Sequence, residues 1–430
     1  MAKKKKRIEK PPREITRRQR SHLQKQKRRQ RIIFYGGVSV IAAVVLIVLT
    51  GWFMGEYLPL HKTVLKVNDT EFDTSYYIDV LKIAGSNQQS PNIQMLAGSV
   101  IQQITQNELI SQGAEELGVT VSDEEVKQML EDLGLPLSDG YVGFFRAQLL
   151  QNRLRDEYFG AQVPESDKQV HVMAMLVESE SQALEIRNGL LSGDNFTALA
   201  EEFAQNYYSK NVNQGDFGWH PEVILNNQLG SLVPVDYAFG AKAGALSAPL
   251  YDEDMYKQVG YWLIKVLEKP AEDQANVQAV FLSSEDEAKE IKARLEAGED
   301  LGPIADEYSD YSPSRDKHGE LGTIMPGGIS DIFDEYVFDL GVELGMWSEP
   351  IRDETYWSKG GYWLVKVVDK DDDRKLSDED RSFLIGQLFD DWVAVLMADP
   401  DNIVDRSYLT EELNQWAINK VLKDMQEAEG

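Results

Sequence analysis

Cysteine is absent from the 430 residues, which excludes disulfide scaffolds, thiolate catalysis and cysteine-ligated metal sites. Histidine is scarce. The five residues, His22, His61, His171, His220 and His318, show no metal-ligand spacing, and no Ser–His–Asp elbow accompanies them. His220 and His318 flank Gly-rich turns, where a solvated loop histidine is the default reading. Long hydrophobic runs are also missing, with one exception. Wholesale disorder is excluded, because apolar residues make up 42% of the chain. At about 150 residues per domain, the length suits two to four domains.

The net charge of −28 conceals a split: residues 1–31 carry 15 Lys/Arg against Glu9 and Glu14, leaving 29 basic and 70 acidic residues beyond them, so +13 faces −41. Between the two lies the exception, residues 32–54, a run of 23 without a charge. As a helix rising 1.5 Å per residue it extends about 34 Å, enough for a ~30 Å hydrocarbon core. Tyr35, Trp52 and Phe53 stand at its ends, where interfacial aromatics belong. A buried core helix rarely runs this long without a polar face. A cleavable signal has a shorter apolar stretch and a small-x-small site, whereas Gly55-Glu56-Tyr57-Leu58-Pro59 follows here. The reading is an uncleaved single-pass anchor in the cell membrane, with the lipid bilayer as partner. The positive-inside rule puts residues 1–31 in the cytoplasm and 55–430 outside it. Topology and anionic lipid account for the Lys3–Arg7 cluster without nucleic acid.

Beyond the anchor the chain repeats. Ala183, Ile186, Leu190, Gly193, Phe196, Leu199 and Ala200 correspond to Ala288, Ile291, Leu295, Gly298, Leu301, Ile304 and Ala305 at a constant offset of 105. The match continues from Gly215-Asp216-Phe217-Gly218 to Gly319-Glu320-Leu321-Gly322, and ends in GYWLIKV at 260–266 and GYWLVKV at 361–367. Each unit reads as strand, helix, helix, Gly-rich turn, short helix, strand, which is an α+β pattern. Asp252-Glu253-Asp254 and Asp371-Asp372-Asp373 read as solvated charge runs, the second opening a linker to helices at 378–397 and 408–425. Ser122 with Glu125 forms a capping box.

In their order, these motifs resemble the parvulin-type peptidyl-prolyl isomerase domain, present twice. Residues 64–130, with VLKVNDTEF and the helical IQQITQNELISQGAEELGVTVSDEEVKQML, are similar to the N-terminal chaperone segment of SurA-type and PrsA-type foldases. The resemblance implies this division: a basic tail (1–31), an anchor (32–54), a helical chaperone-like domain (55–165), parvulin-like domains at 166–270 and 271–369, and an acidic linker with C-terminal helices packing on the chaperone lobe (370–430). Isomerising an X-Pro bond rotates an amide over a barrier of ~18–20 kcal/mol, needs no cofactor or metal, and asks for an apolar pocket favouring the twisted amide.

The resemblance implies a proline pocket at Leu321, Ile329, Phe333 and Phe338 in the second repeat and at Phe217 and Phe239 in the first. The family's polar set does not carry over. Its first-strand histidine falls at Ala174 and Ala279, its last-strand histidine at Trp262 and Trp363, and its Asp/Cys position near Asn206 and Tyr311. Trp262 and Trp363 are therefore expected to offer a flat apolar surface, binding extended segments without turning them over. The implied function is a membrane-anchored extracytoplasmic foldase that binds unfolded, newly translocated or Pro-containing clients. An active isomerase working mainly through the second domain and a non-catalytic scaffold are the alternatives. Oligomeric state is not legible.

Overall fold

A computed structural model describes residues 17–86 and 92–429, with side chains from residue 34 to 427 outside that gap. Residues 1–16, and with them the Lys3–Arg7 cluster, lie outside the described residues. The chain divides into two units, residues 1–162 with 385–430, and residues 163–384.

In the first unit a helix, Arg17–Trp52, continues through a wider turn, Phe53–Tyr57, to Leu60. Phe34–Leu60 is the one helix among the described residues long and apolar enough to cross a membrane. A hairpin follows, β1 (Thr63–Val67) and β2 (Thr70–Asp73). Its turn places Asn68 at φ 53°, a left-handed conformation that asparagine tolerates. The Asn68 amide donates to Gln112 and Asn402 and accepts from the Ile403 backbone N–H at 2.8 Å. That grip aligns Val404–Asp405 as a third strand beside β1. The helix Asp123–Leu133 starts at the Ser122–Glu125 capping box, with both reciprocal bonds formed. Leu413, Ala417, Ile418 and Val421 of the helix Glu411–Glu429 share a core with Val64, Leu65, Tyr77, Leu81 and Ile104. A second cluster joins Phe389 and Val393 to Ile110, Val126, Leu130, Leu154 and Phe159. Gly113 is required there, since a Cβ would meet the Trp392 ring at 2.7 Å.

The second unit is built from eight strands: β3 (Ser166–Val177), β4 (Asp216–Pro221), β5 (Leu250–Lys257), β6 (Gly260–Ala271), β7 (Gln274–Leu282), β8 (Glu320–Ile324), β9 (Ile351–Asp353) and β10 (Ser358–Lys375). They form two four-stranded antiparallel sheets, ordered β4–β3–β10–β5 and β8–β7–β6–β9. The last strands of the two repeats are therefore exchanged. β6, which ends the first repeat, pairs with β7 of the second, while β10 returns to β3 of the first. The register is the same in both lobes: Trp262 faces Phe281 and Ile264 faces Ala279, as Trp363 faces Leu176 and Val365 faces Ala174. Loop-closure entropy explains the choice. β6 and β7 need only the turn Glu272-Asp273, whereas pairing β6 with β3 would close a far longer loop. Once β6 is used, β10 is the matching strand left for β3.

The boundary expected between 270 and 271 thus runs through a hairpin. One lobe is the continuous stretch β6 to β9, and it interrupts the other, formed by β3 to β5 with β10. The acidic linker expected from residue 370 is part of β10, where Arg374 pairs with Asp167 and Lys375 with Ser166. Helices cover both sheets, and the first two of each lobe start at a side-chain cap, Ser179 and Asn195 in one and Ser284 and Asp300 in the other. Gly193 and Gly298 end or follow the first helix of each lobe with φ of 106° and 92°, a region open to glycine.

At the crossover between lobes sits a fully buried lysine. Lys257 donates to the Gly360 carbonyl at 2.5 Å. Burial pulls its pKa down to about 8, against the opposing pull of Asp310, Glu178 and Glu287. Buried Glu178 accepts from Arg352 at 2.5 Å, and Arg352 also donates to the Tyr261 hydroxyl at 2.7 Å. Gly260 is held close to this junction: a Cβ there would lie 2.4 Å from the Phe281 ring.

Candidate isomerase and client-binding site

The exchange decides which side chains meet. Trp262 joins the pocket residues of the second repeat, and Trp363 those of the first. This corrects the grouping read from sequence, in which Trp363 stands with Leu321, Ile329, Phe333 and Phe338. Trp262 is fully buried, its ring centroid 4.6 Å from Phe281, 4.8 Å from Phe333, 5.1 Å from Tyr311 and 5.9 Å from Tyr356. Phe333 is fully buried too, Leu321 nearly so, and Ile329 and Phe338 are half-buried against the same cluster. Tyr356 donates to the Ile329 carbonyl at 2.8 Å, and burial, with help from Tyr311 and Asp353, pushes its hydroxyl up to about 12. In the first lobe Trp363 and Phe217 are buried among Leu225, Leu229, Val235 and Ala238, with Phe239 half-buried beside them.

Each indole is locked by a buried carboxylate. Trp262 Nε1 donates to Asp353 at 2.9 Å, and Trp363 Nε1 donates to Asp252 at 3.0 Å. Ser330 and Ser231 each donate to the same carboxylates at 2.5 Å. Burial works against the ionised form of Asp353, but the bonds from Ser330, Thr355 and Trp262 outweigh it and hold the carboxyl below its ordinary value. Asp252 is therefore an interior hydrogen-bond acceptor, not part of a solvated run. The flat surface expected from the two tryptophans is also overturned: satisfying an indole N–H on a buried carboxylate draws the whole ring inside.

The remaining family positions are occupied structurally. Ala174 and Ala279 are buried, and their carbonyls accept from Ser209 at 2.8 Å and Ser314 at 2.5 Å. Asn206 accepts from the Leu176 N–H at 3.0 Å and donates to Ser209. Tyr311 packs edge-on to Trp262. His171 bonds Asp216 at 2.7 Å on the strand face away from Ala174. His220 lies within β4 and bonds buried Asp380 at 2.9 Å, so it is not a loop histidine. His318 is exposed and bonds Asp306 at 2.7 Å. No cluster of His, Asp or Glu among the described residues is suited to hold a metal. At the family's site positions both lobes are filled by their own buried aromatic and apolar side chains.

The sequence reading missed the Ser–Asp–Trp sets. A signal was present: Asp252 stands ten residues before Trp262, as Asp353 does before Trp363. The bonded pairs are the crossed ones.

With this geometry in view, comparison with known proteins gives the class. Residues 23–154 match the SurA-like N-terminal domain and residues 263–369 the PPIC-type PPIase domain. The chain thus carries a SurA-like N-terminal domain and a PPIC-type PPIase domain, and is related to the PrsA and SurA foldases. It is 36% identical over 94 residues to foldase protein PrsA 4 of Bacillus cereus, covering 22% of this chain and 31% of the relative. It is 24% identical over 319 residues to chaperone SurA of Chromohalobacter salexigens, covering 70% of this chain and 64% of the relative. A parvulin-like PPIase of Rickettsia conorii is 35% identical over 139 residues, which is 31% of this chain and 46% of the relative. The chain spans less than two thirds of the length of each of these three relatives.

Proposed function

We propose that this chain is a membrane-anchored, extracytoplasmic foldase that binds unfolded clients and does not turn over their X-Pro bonds. The observation that carries the second half is the closure of both parvulin-like pockets by Trp262 and Trp363, each bonded to a buried carboxylate. A site filled by its own aromatic residues has no room for a proline ring, and it offers no free group to favour a twisted amide. Kinship with PrsA and SurA supports the chaperone half. The apolar helix ending at Leu60 supports anchoring, and the basic residues before it support a cytoplasmic N-terminus. An acidic outer surface favours basic or neutral clients at low ionic strength.

The test is light scattering of a chemically unfolded client diluted into buffer with the full chain held in nanodiscs. Stoichiometric suppression of scattering is expected. Scattering equal to that with empty nanodiscs contradicts the foldase reading.

A further inference from the structure

With the proline pockets filled, a client must be held elsewhere. The helix Asp331–Phe338 buries Phe333 and Val337 on one face. Ile332, Glu335 and Tyr336 form a neighbouring stripe and, with Asp339 and Val342, line a cleft of about 480 Å³ that reaches Ile351 of β9. Spacings of three and four residues put these side chains on one stripe of the helix. The cleft borders the cluster that fills the family's pocket: Tyr336, Val342 and Ile351 pack against that cluster, while Ile332 and Glu335 are exposed.

Its chemistry has two parts. The apolar part is Ile332, 37% exposed, with half-buried Tyr336, Val342 and Ile351. The loop that follows the helix leaves Leu340, Leu344 and Met346 exposed. The charged part is acidic: Glu335 and Asp339 stand on the rim. The Tyr336 hydroxyl is pushed up by burial first and then by the charges of Glu343 and Glu349, which places those two carboxylates nearby. Two lysines counter them. Lys269 donates to the Asp339 carbonyl at 2.5 Å, and Lys292 reaches Glu349 at 3.3 Å while holding Glu296. The acids outnumber them.

We propose that this cleft is a client-binding groove for an extended apolar segment flanked by lysine or arginine, the apolar side chain seated between Ile332 and Val342 and the cations beside Glu335 and Asp339. Charge complementarity selects this occupant over a neutral or acidic one. The proposal rests on the foldase reading above.

The experiment uses the full chain in nanodiscs and fluorescence anisotropy of a short labelled peptide with a Leu/Phe centre and flanking lysines. Binding that weakens with salt is expected, with little binding of the same peptide carrying glutamates. Ile332→Asn and Glu335→Lys should each weaken it about tenfold, while Leu137→Asn, an exposed leucine of the first unit, leaves it unchanged. Glu335 is at the surface, so its variant tests the groove without risking the core. Wild-type affinity in both groove variants overturns the groove. If those variants still suppress client aggregation, the foldase reading survives that result. A wild-type chain that neither binds the peptide nor suppresses aggregation removes both. A dimer that dissociates on Ile332→Asn overturns the proposal in favour of a second copy of this chain.

Discussion

Asp252 and Asp353 each hold an indole ring inside a lobe, at positions where the resemblance implies a polar set beside an apolar pocket. Asp353 accepts from Trp262, Ser330 and the Thr355 N–H. Asp353→Ala leaves two buried side-chain donors without an acceptor and is expected to cost about 2–4 kcal/mol in urea unfolding followed by tryptophan fluorescence. Asp353→Asn keeps an acceptor and should cost less. A loss-free alanine variant would contradict the role assigned to this carboxylate. Lys257 gives a pH signature. Its folded pKa of about 8 lies below the ordinary 10.5, so between those values the unfolded chain binds more protons. Stability should therefore rise with pH across that window, by about 3 kcal/mol for this group. Denaturation midpoints at a series of pH values check this, and Lys257→Met should flatten the rise. In the sequence, Trp262 and Trp363 stand out as replacements for site histidines. Their burial does not, because their acceptors lie 91 and 111 residues away, and Asp252 sits in a triplet that looks solvated.

At the scale of elements, periodicity alone located much of the helical structure. The first helix of each repeat, the Ser122 capping box and the helix Asp378–Ala398 appear where apolar spacing and cap chemistry put them, while the last helix, expected from Tyr408, starts at Glu411 and runs to Glu429. The strand exchange was hidden for a physical reason. GYWLIKV and GYWLVKV carry almost the same pattern, so either can close either sheet, and only the two-residue turn between β6 and β7 favours the exchanged pairing. The lack of native cysteine makes this directly testable. Lys265 and Gln278 are cross-strand partners, while Lys366 is paired with Met173. A Lys265→Cys/Gln278→Cys chain should form a disulfide on mild oxidation, since paired strand positions lie within disulfide reach. A Lys366→Cys/Gln278→Cys chain should not. The reverse outcome would mean that each repeat closes on its own last strand.

For the whole molecule, the split charge acquires a spatial sense. A basic segment precedes one membrane-length helix, and the acidic remainder forms one unit that combines residues up to 162 with residues 385–430 and a second built from two interlocked lobes. In that second unit the parvulin-like architecture is kept while its pocket is filled, so the molecule is expected to hold clients and leave their prolines as they are. The most direct measurement is NMR exchange spectroscopy of a short X-Pro peptide with the full chain in nanodiscs, reading the cis–trans interconversion rate. The uncatalysed process takes tens to hundreds of seconds at about 25 °C, and the rate should stay at that value with the chain present. Acceleration that scales with chain concentration and is lost in Phe333→Ala would contradict the closed-pocket account.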